Sequence, residues 1–201
     1  MKKIDTFSAN SLKLLEKSQK EFIDRYIYNL DIFKKDPRSE LGQKFHSLIC
    51  AYIKGFEIEK ATLELDEKEK EIWQKLKVEI DKIKKYFIKN EYSFLIKESH
   101  NGEYYYLTGR FDGIAKINDE YIIYDWKTLN LPKDPENDLQ TVVYLFCASK
   151  IFKSEKIKMR YLSIEKLNSV EICFKDEKTY KTRIERVLEK NLINSCENDV
   201  I

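Results

Sequence analysis

The chain has 201 residues, of which 42% are hydrophobic, enough for one domain with a sizeable buried core and a helical appendage. Lys and Arg total 37 against 35 Asp and Glu, so the chain is not a polycation, and any nucleic-acid contact must come from a local patch or a bound metal. Cys50, Cys147, Cys173 and Cys196 lie too far apart for a thiolate zinc site, and no long apolar run or leader is present, so the expectation is a cytoplasmic protein with reduced thiols and no membrane contact.

From Ser8 to about Leu30 apolar residues recur three and four apart (Leu12, Leu15, Phe22, Ile23, Tyr26) behind candidate caps at Ser8 and Asn10, which predicts a long first helix. Asp36-Pro37-Arg38-Ser39 breaks the pattern, and Leu41, Phe45, Leu48, Ile49, Tyr52 and Ile53 mark a second helix ending near Gly55. A third, highly charged helix is predicted from Asp66 to Lys89, with Ile72, Leu76, Ile80, Ile83 and Phe87 on its buried stripe. Its basic end, Lys82 to Lys89, reads as a solvated amphipathic face.

Beyond this point β-branched and aromatic runs alternate with turn signals. Strands are predicted at Phe94–Glu98, Tyr104–Lys116 and Tyr121–Lys127, joined by turns at His100–Glu103 and Ile117–Glu120 as an antiparallel meander. A loop with two prolines spans Leu129–Pro135, a helix Glu136 to about Lys150, strands Lys156–Ile164 and Val170–Phe174, and a last helix Glu177–Leu192. This order gives an α/β or α+β sheet flanked by helices. It divides a single domain, 1–201, into a mainly helical region, 1–90, and an αβ core, 91–192.

Asp125-Trp126-Lys127 ends the third strand of the meander, so Asp125 and Lys127 project to one face and Trp126 to the other. Taken alone, the pair reads equally well as a surface ion pair at the sheet rim. Gly109-Arg110-Phe111-Asp112-Gly113 adds a carboxylate in mid-strand between glycines that let something approach the backbone closely. With the hairpin turn at Asn118-Asp119, Asp112 falls beside Asp125, and two adjacent carboxylates are costly unless a cation lies between them. Oxygen ligands on neighbouring strands suit Mg²⁺ or Mn²⁺, which can polarise a phosphodiester and bind the attacking water, with Lys127 orienting that water or offsetting charge. Gln140 and Tyr144 share a face of the following helix and could reach substrate, although Tyr144 in the core and Gln140 at the rim is the plainer account.

Gly109-Arg110-Phe111-Asp112, Asp125-Trp126-Lys127 and Gln140-Thr141-Val142-Val143-Tyr144 resemble, in order, the G-x-x-D, D-x-K and Q-x-x-x-Y motifs of the RecB-like branch of the PD-(D/E)XK nuclease superfamily. Phe7 to Leu12 resembles the S-x-S-x-L opening of such domains, and Gly42-Gln43-Lys44-Phe45-His46 their G-x-x-x-H helix. The resemblance implies a restriction-endonuclease-like core, a mixed central sheet flanked by helices, and metal-dependent cleavage of DNA. It implies Asp112, Asp125, His46 and the Trp126 carbonyl as metal ligands, Lys127 as the catalytic lysine, and Gln140 and Tyr144 at the substrate. The late cysteines are not the tight group with which some relatives hold an iron–sulfur cluster, so none is expected. Many relatives are joined to helicases, and no helicase motif is present here, so the expectation is a chain that finds DNA alone or through a separate protein partner such as a helicase. A non-catalytic nucleic-acid-binding or assembly module on the same fold is the rival reading.

Overall fold

The computed structural model describes residues 4–30 and 37–197. A short strand, β1 (Thr6–Ser8), leads into α1 (Ala9–Lys17) and α2 (Gln19–Tyr26), followed by α3 (Pro37–Ile53), α4 (Glu59–Leu63) and α5 (Glu67–Ile83). The meander is β2 (Phe87–His100), β3 (Glu103–Ile117) and β4 (Glu120–Lys127), and α6 (Leu139–Phe152), β5 (Ile157–Ser163), β6 (Ser169–Cys173) and α7 (Glu177–Glu197) complete the chain.

Several expectations change at the level of elements. The predicted first helix is a strand and two helices, because Ser18 is extended (φ −158°, ψ 106°) and caps both: its N–H reaches the Leu14 carbonyl at 2.8 Å and its hydroxyl accepts from the Glu21 N–H at 3.2 Å. The apolar spacing hides the break, since both helices bury residues against the same core. Ser8, and not Asn10, caps α1, in a reciprocal pair of bonds with Ser11. The break at Asp36 lies outside the described residues. The predicted third helix stops at Ile83, and after a 3₁₀ turn at Lys84–Tyr86 the chain is already strand at Phe87, so only Lys82 and Ile83 of the basic stretch are α-helical. From Phe87 the chain pairs with β3, Phe87 opposite Ala115 and Lys89 opposite Ile114 across a bulge at Ile88, and that pairing outweighs the helical spacing. Helix α6 begins at Leu139, capped by Asp138, three residues later than predicted.

The six-stranded sheet is mixed. β2 and β4 pair antiparallel with β3, β1 pairs parallel with β3, β5 parallel with β4, and β6 antiparallel with β5. Helices cover both faces, as the expected architecture requires. On one face Leu12, Phe111, Ile123, Val143, Phe146, Met159 and Ile184 join α1, α6 and α7 to the sheet. On the other, Phe45, Ile49, Leu76 and Ile80 of α3 and α5 pack on Ile122, Tyr124 and Trp126. β4 thus contributes alternate residues to two cores, and each large side chain buried this way supplies roughly 1.5–3 kcal/mol. α6 is buried almost all round, which explains a sequence with little polar face.

No helix among the described residues is long and apolar enough to cross a membrane.

Candidate active site

Strand β3 is held along one edge by β2 from Glu103 to Ala115. On its other edge β1 occupies Tyr106–Thr108 and β4 occupies Gly113–Ile117. Gly109-Arg110-Phe111-Asp112 therefore spans a gap between two strands that share one edge. A cleft of about 1010 Å³ opens there, lined among others by Ser8, His46, Asp112, Asp125, Lys127 and Gln140. The glycines of this segment admit aromatic side chains: a Cβ on Gly109 would strike the Phe94 ring, and one on Gly113 the Phe87 ring. Close approach is thus needed for packing β2 onto β3.

Helices from opposite faces of the sheet converge on the end of β4. From α3, His46 directs Nε2 to the Trp126 carbonyl at 2.8 Å and Nδ1 to Asp112 Oδ1 at 3.4 Å. Asp112 Oδ2 accepts from the Trp126 N–H at 2.9 Å, which ties the two strands together where their backbone ladder ends. From α6, Gln140 donates its amide to Asp125 Oδ1 at 2.5 Å and accepts the Lys127 ammonium at 2.8 Å. Lys127 closes the triangle with Asp125 Oδ2, also at 2.8 Å. The Tyr144 hydroxyl donates to the Arg110 carbonyl at 2.9 Å, and its ring meets Phe111 and Phe94 edge-on. Tyr144 thus braces the gap in β3 from within the core.

Asp125 is only 4% exposed, and burial pushes its carboxyl up to about 6, Lys127 opposing the rise and Asp112 adding to it. Burial works against a charged His46, yet its bond to Asp112, the Asp112 charge, the Trp126 carbonyl and Asp125 together hold its pKa above the ordinary value. Both imidazole nitrogens face acceptors, so a proton on each satisfies them, and positive charge is what this corner favours.

The residues expected from the sequence, His46, Asp112, Asp125, Trp126, Lys127, Gln140 and Tyr144, all line this one cleft. Glu91 was not among them. Its carboxylate, with His46 and Asp112, presents ligand atoms that all lie within 4.8 Å of one another. Glu91 stands in β2 opposite Asp112 with φ +52°, a left-handed backbone unusual for this residue type in a strand, and it pairs with Arg110 Nε at 2.7 Å. The predicted strand began at Phe94, so Glu91 fell outside it and no periodicity marked it. An imidazole, three carboxylates and a backbone carbonyl form a donor set, mostly hard oxygen, that fits a divalent cation.

Fold and site together define a domain of the restriction-endonuclease-like kind, with acids and a lysine gathered at the end of a central strand. The sequence profile of the PD-(D/E)XK nuclease superfamily matches residues 6–198, and the chain belongs to that family, whose members use divalent metals. Among solved structures, the chain is similar to the crystal structure of SSO0001, with 17% identity over 94% of this chain and 78% of that one and a TM-score of 0.52. That likeness concerns the fold alone. No curated protein sequence matches.

Proposed function

We propose that this protein is a Mg²⁺- or Mn²⁺-dependent nuclease that hydrolyses DNA phosphodiester bonds, exonuclease-like in its mode of attack. The observation that carries this is the convergence of His46, Asp112, Asp125 and the Trp126 carbonyl with Lys127 in a cleft open to solvent. Asp112, Asp125, the Trp126 carbonyl and His46 would hold the cation, with Glu91 in reach of the same place. When bound, the cation supplies Lewis-acid polarisation of the phosphoryl oxygen and a bound water of lowered pKa.

The remaining work falls to the side chains. In the hydrolysis, a water oxygen bonds to phosphorus, the ester P–O bond breaks, and the water proton passes by way of solvent to the leaving oxygen. Lys127 places a positive charge beside that water and the phosphate, where low exposure makes it worth more than at the surface. Gln140 fixes the distance between Asp125 and Lys127, so that carboxylate and ammonium keep separate tasks. Tyr144 holds the Arg110 carbonyl and hence the β3 segment that carries Asp112.

Incubating the protein with end-labelled single strands, duplexes and flaps in Mg²⁺ and in Mn²⁺ tests this. Stepwise product ladders that vanish in Asp112→Asn are expected. Intact DNA in every metal, with Mn²⁺ shown bound by calorimetry, would leave the binding-module reading in its place.

A further inference from the structure

We infer that Phe56 is a base-stacking platform that directs this cleft toward single-stranded DNA, an inference that rests on the nuclease reading above. Helix α3 forms one wall of the cleft, and Gly42, His46, Cys50 and Lys54, four residues apart, all face into it. The helix ends in a Schellman turn: the Gly55 N–H bonds the Tyr52 carbonyl at 3.1 Å, the Phe56 N–H bonds the Ala51 carbonyl at 3.0 Å, and Gly55 has φ +78°. In such turns the apolar residue after the glycine commonly folds back on the last helical turn. Phe56 is nonetheless 65% exposed and lines the cleft, and no other ring stacks on it among the described residues.

A large apolar face held in water by an ordered turn is suited to a flat ligand that arrives with the substrate. Unpaired bases offer such faces, whereas a duplex keeps them inside its own stack except at the ends. Lys54, two residues before Phe56, lines the same cleft and has no ion-pair partner among the described residues. An aromatic face beside a free cation is the pairing by which single-strand grooves take a base and the phosphate next to it. From His46 to Lys54 the helix rises roughly 12 Å, about two to four nucleotides of strand. The stacked base therefore sits that far from the bond that is cut.

The test uses the whole chain, a short single strand and a blunt duplex, with affinity read in Ca²⁺ and single-turnover cleavage in Mn²⁺. Phe56→Ala is expected to weaken single-strand binding about tenfold, leave the duplex within about twofold, and keep the wild-type melting temperature, while Phe56→Tyr restores binding. Abasic sites placed along the strand should cost the wild type a similar factor only about two to four nucleotides from the cut, and should cost Phe56→Ala nothing further. Equal single-strand affinity in wild type and Phe56→Ala overturns the platform, as does an equal loss on both substrates. A change confined to self-association in sedimentation makes Phe56 a protein contact and overturns it too. A wild type that cuts no DNA in any metal sinks the nuclease reading whatever Phe56 does, whereas one that cuts but is indifferent to Phe56 sinks only the platform.

Discussion

Lys127 touches Asp125 and Gln140 and lies 5.3 Å from the centre of the Tyr161 ring, so its ammonium is held on three sides and has little freedom to be replaced by another cation. Lys127→Met keeps the stem and removes the charge. Metal affinity is expected to hold or rise, because a competitor for Asp125 is gone, while single-turnover cleavage falls by about 10²–10³. Wild-type cleavage by this variant would reduce Lys127 to a rim ion pair. Asp125 makes a different prediction. Its folded-state carboxyl is raised to about 6 from 3.8, so the fold favours the protonated form. The associated stability is complete below 3.8 and is lost as pH rises through 6. In chelator at neutral pH, Asp125→Asn should therefore melt above the wild type, and the difference should shrink as pH falls from 6 toward 4. A variant that melts lower at neutral pH would mean that the bonds to Lys127 and Gln140 outweigh the cost of the buried charge.

Among the elements, α3 sets the site through one small residue. A Cβ on Gly42 would stand 2.8 Å from the Thr128 Oγ1, so the helix seats this close to the end of β4 only because glycine is there. Gly42→Ala should gain up to about 1 kcal/mol from helix propensity and lose it again to the clash, with little net change in melting temperature. His46, one turn along, would be carried away from Asp112 and Trp126, so Mn²⁺ affinity in calorimetry should fall, and Thr128→Ala in the same chain should restore it. Unchanged affinity in the single variant would show that α3 does not position the site. The elements also show what the sequence made legible. The strand pair carrying Asp112 and Asp125 was readable because hairpin turns and period-two alternation report directly on register. His46 became legible only through the resemblance, since nothing local says what a helical histidine faces. Glu91 and Phe56 were missed because each depends on where a chain segment ends: Glu91 stands in the part of β2 between the predicted third helix and the predicted strand, and Phe56 follows a C-cap whose exposure no periodicity encodes.

At the scale of the whole molecule, the site draws on α3, α6 and three strands of the sheet, so a cation held there binds only the folded chain. Mn²⁺ at about a hundred times its dissociation constant should then stabilise the protein by roughly 2.7 kcal/mol. In thermal melts this is a rise of about 5–11 °C for a domain of this size, and Asp112→Asn should abolish it. A wild-type melting temperature indifferent to Mn²⁺ would count against a metal centre in this cleft.

The parallel pairing of β4 with β5 has one more consequence. The two strands are joined through α6, whose Thr141 hydroxyl is bonded to that of Tyr161 on β5 at 2.8 Å in the interior, and β1 reaches β3 across most of a hundred residues. Contacts so distant in sequence are entropically late to form. A refolding chain therefore gathers the lining of the cleft only after these distant strands have met. Topology acts here as a timer, holding the lining residues apart until the distant strands of the sheet have joined.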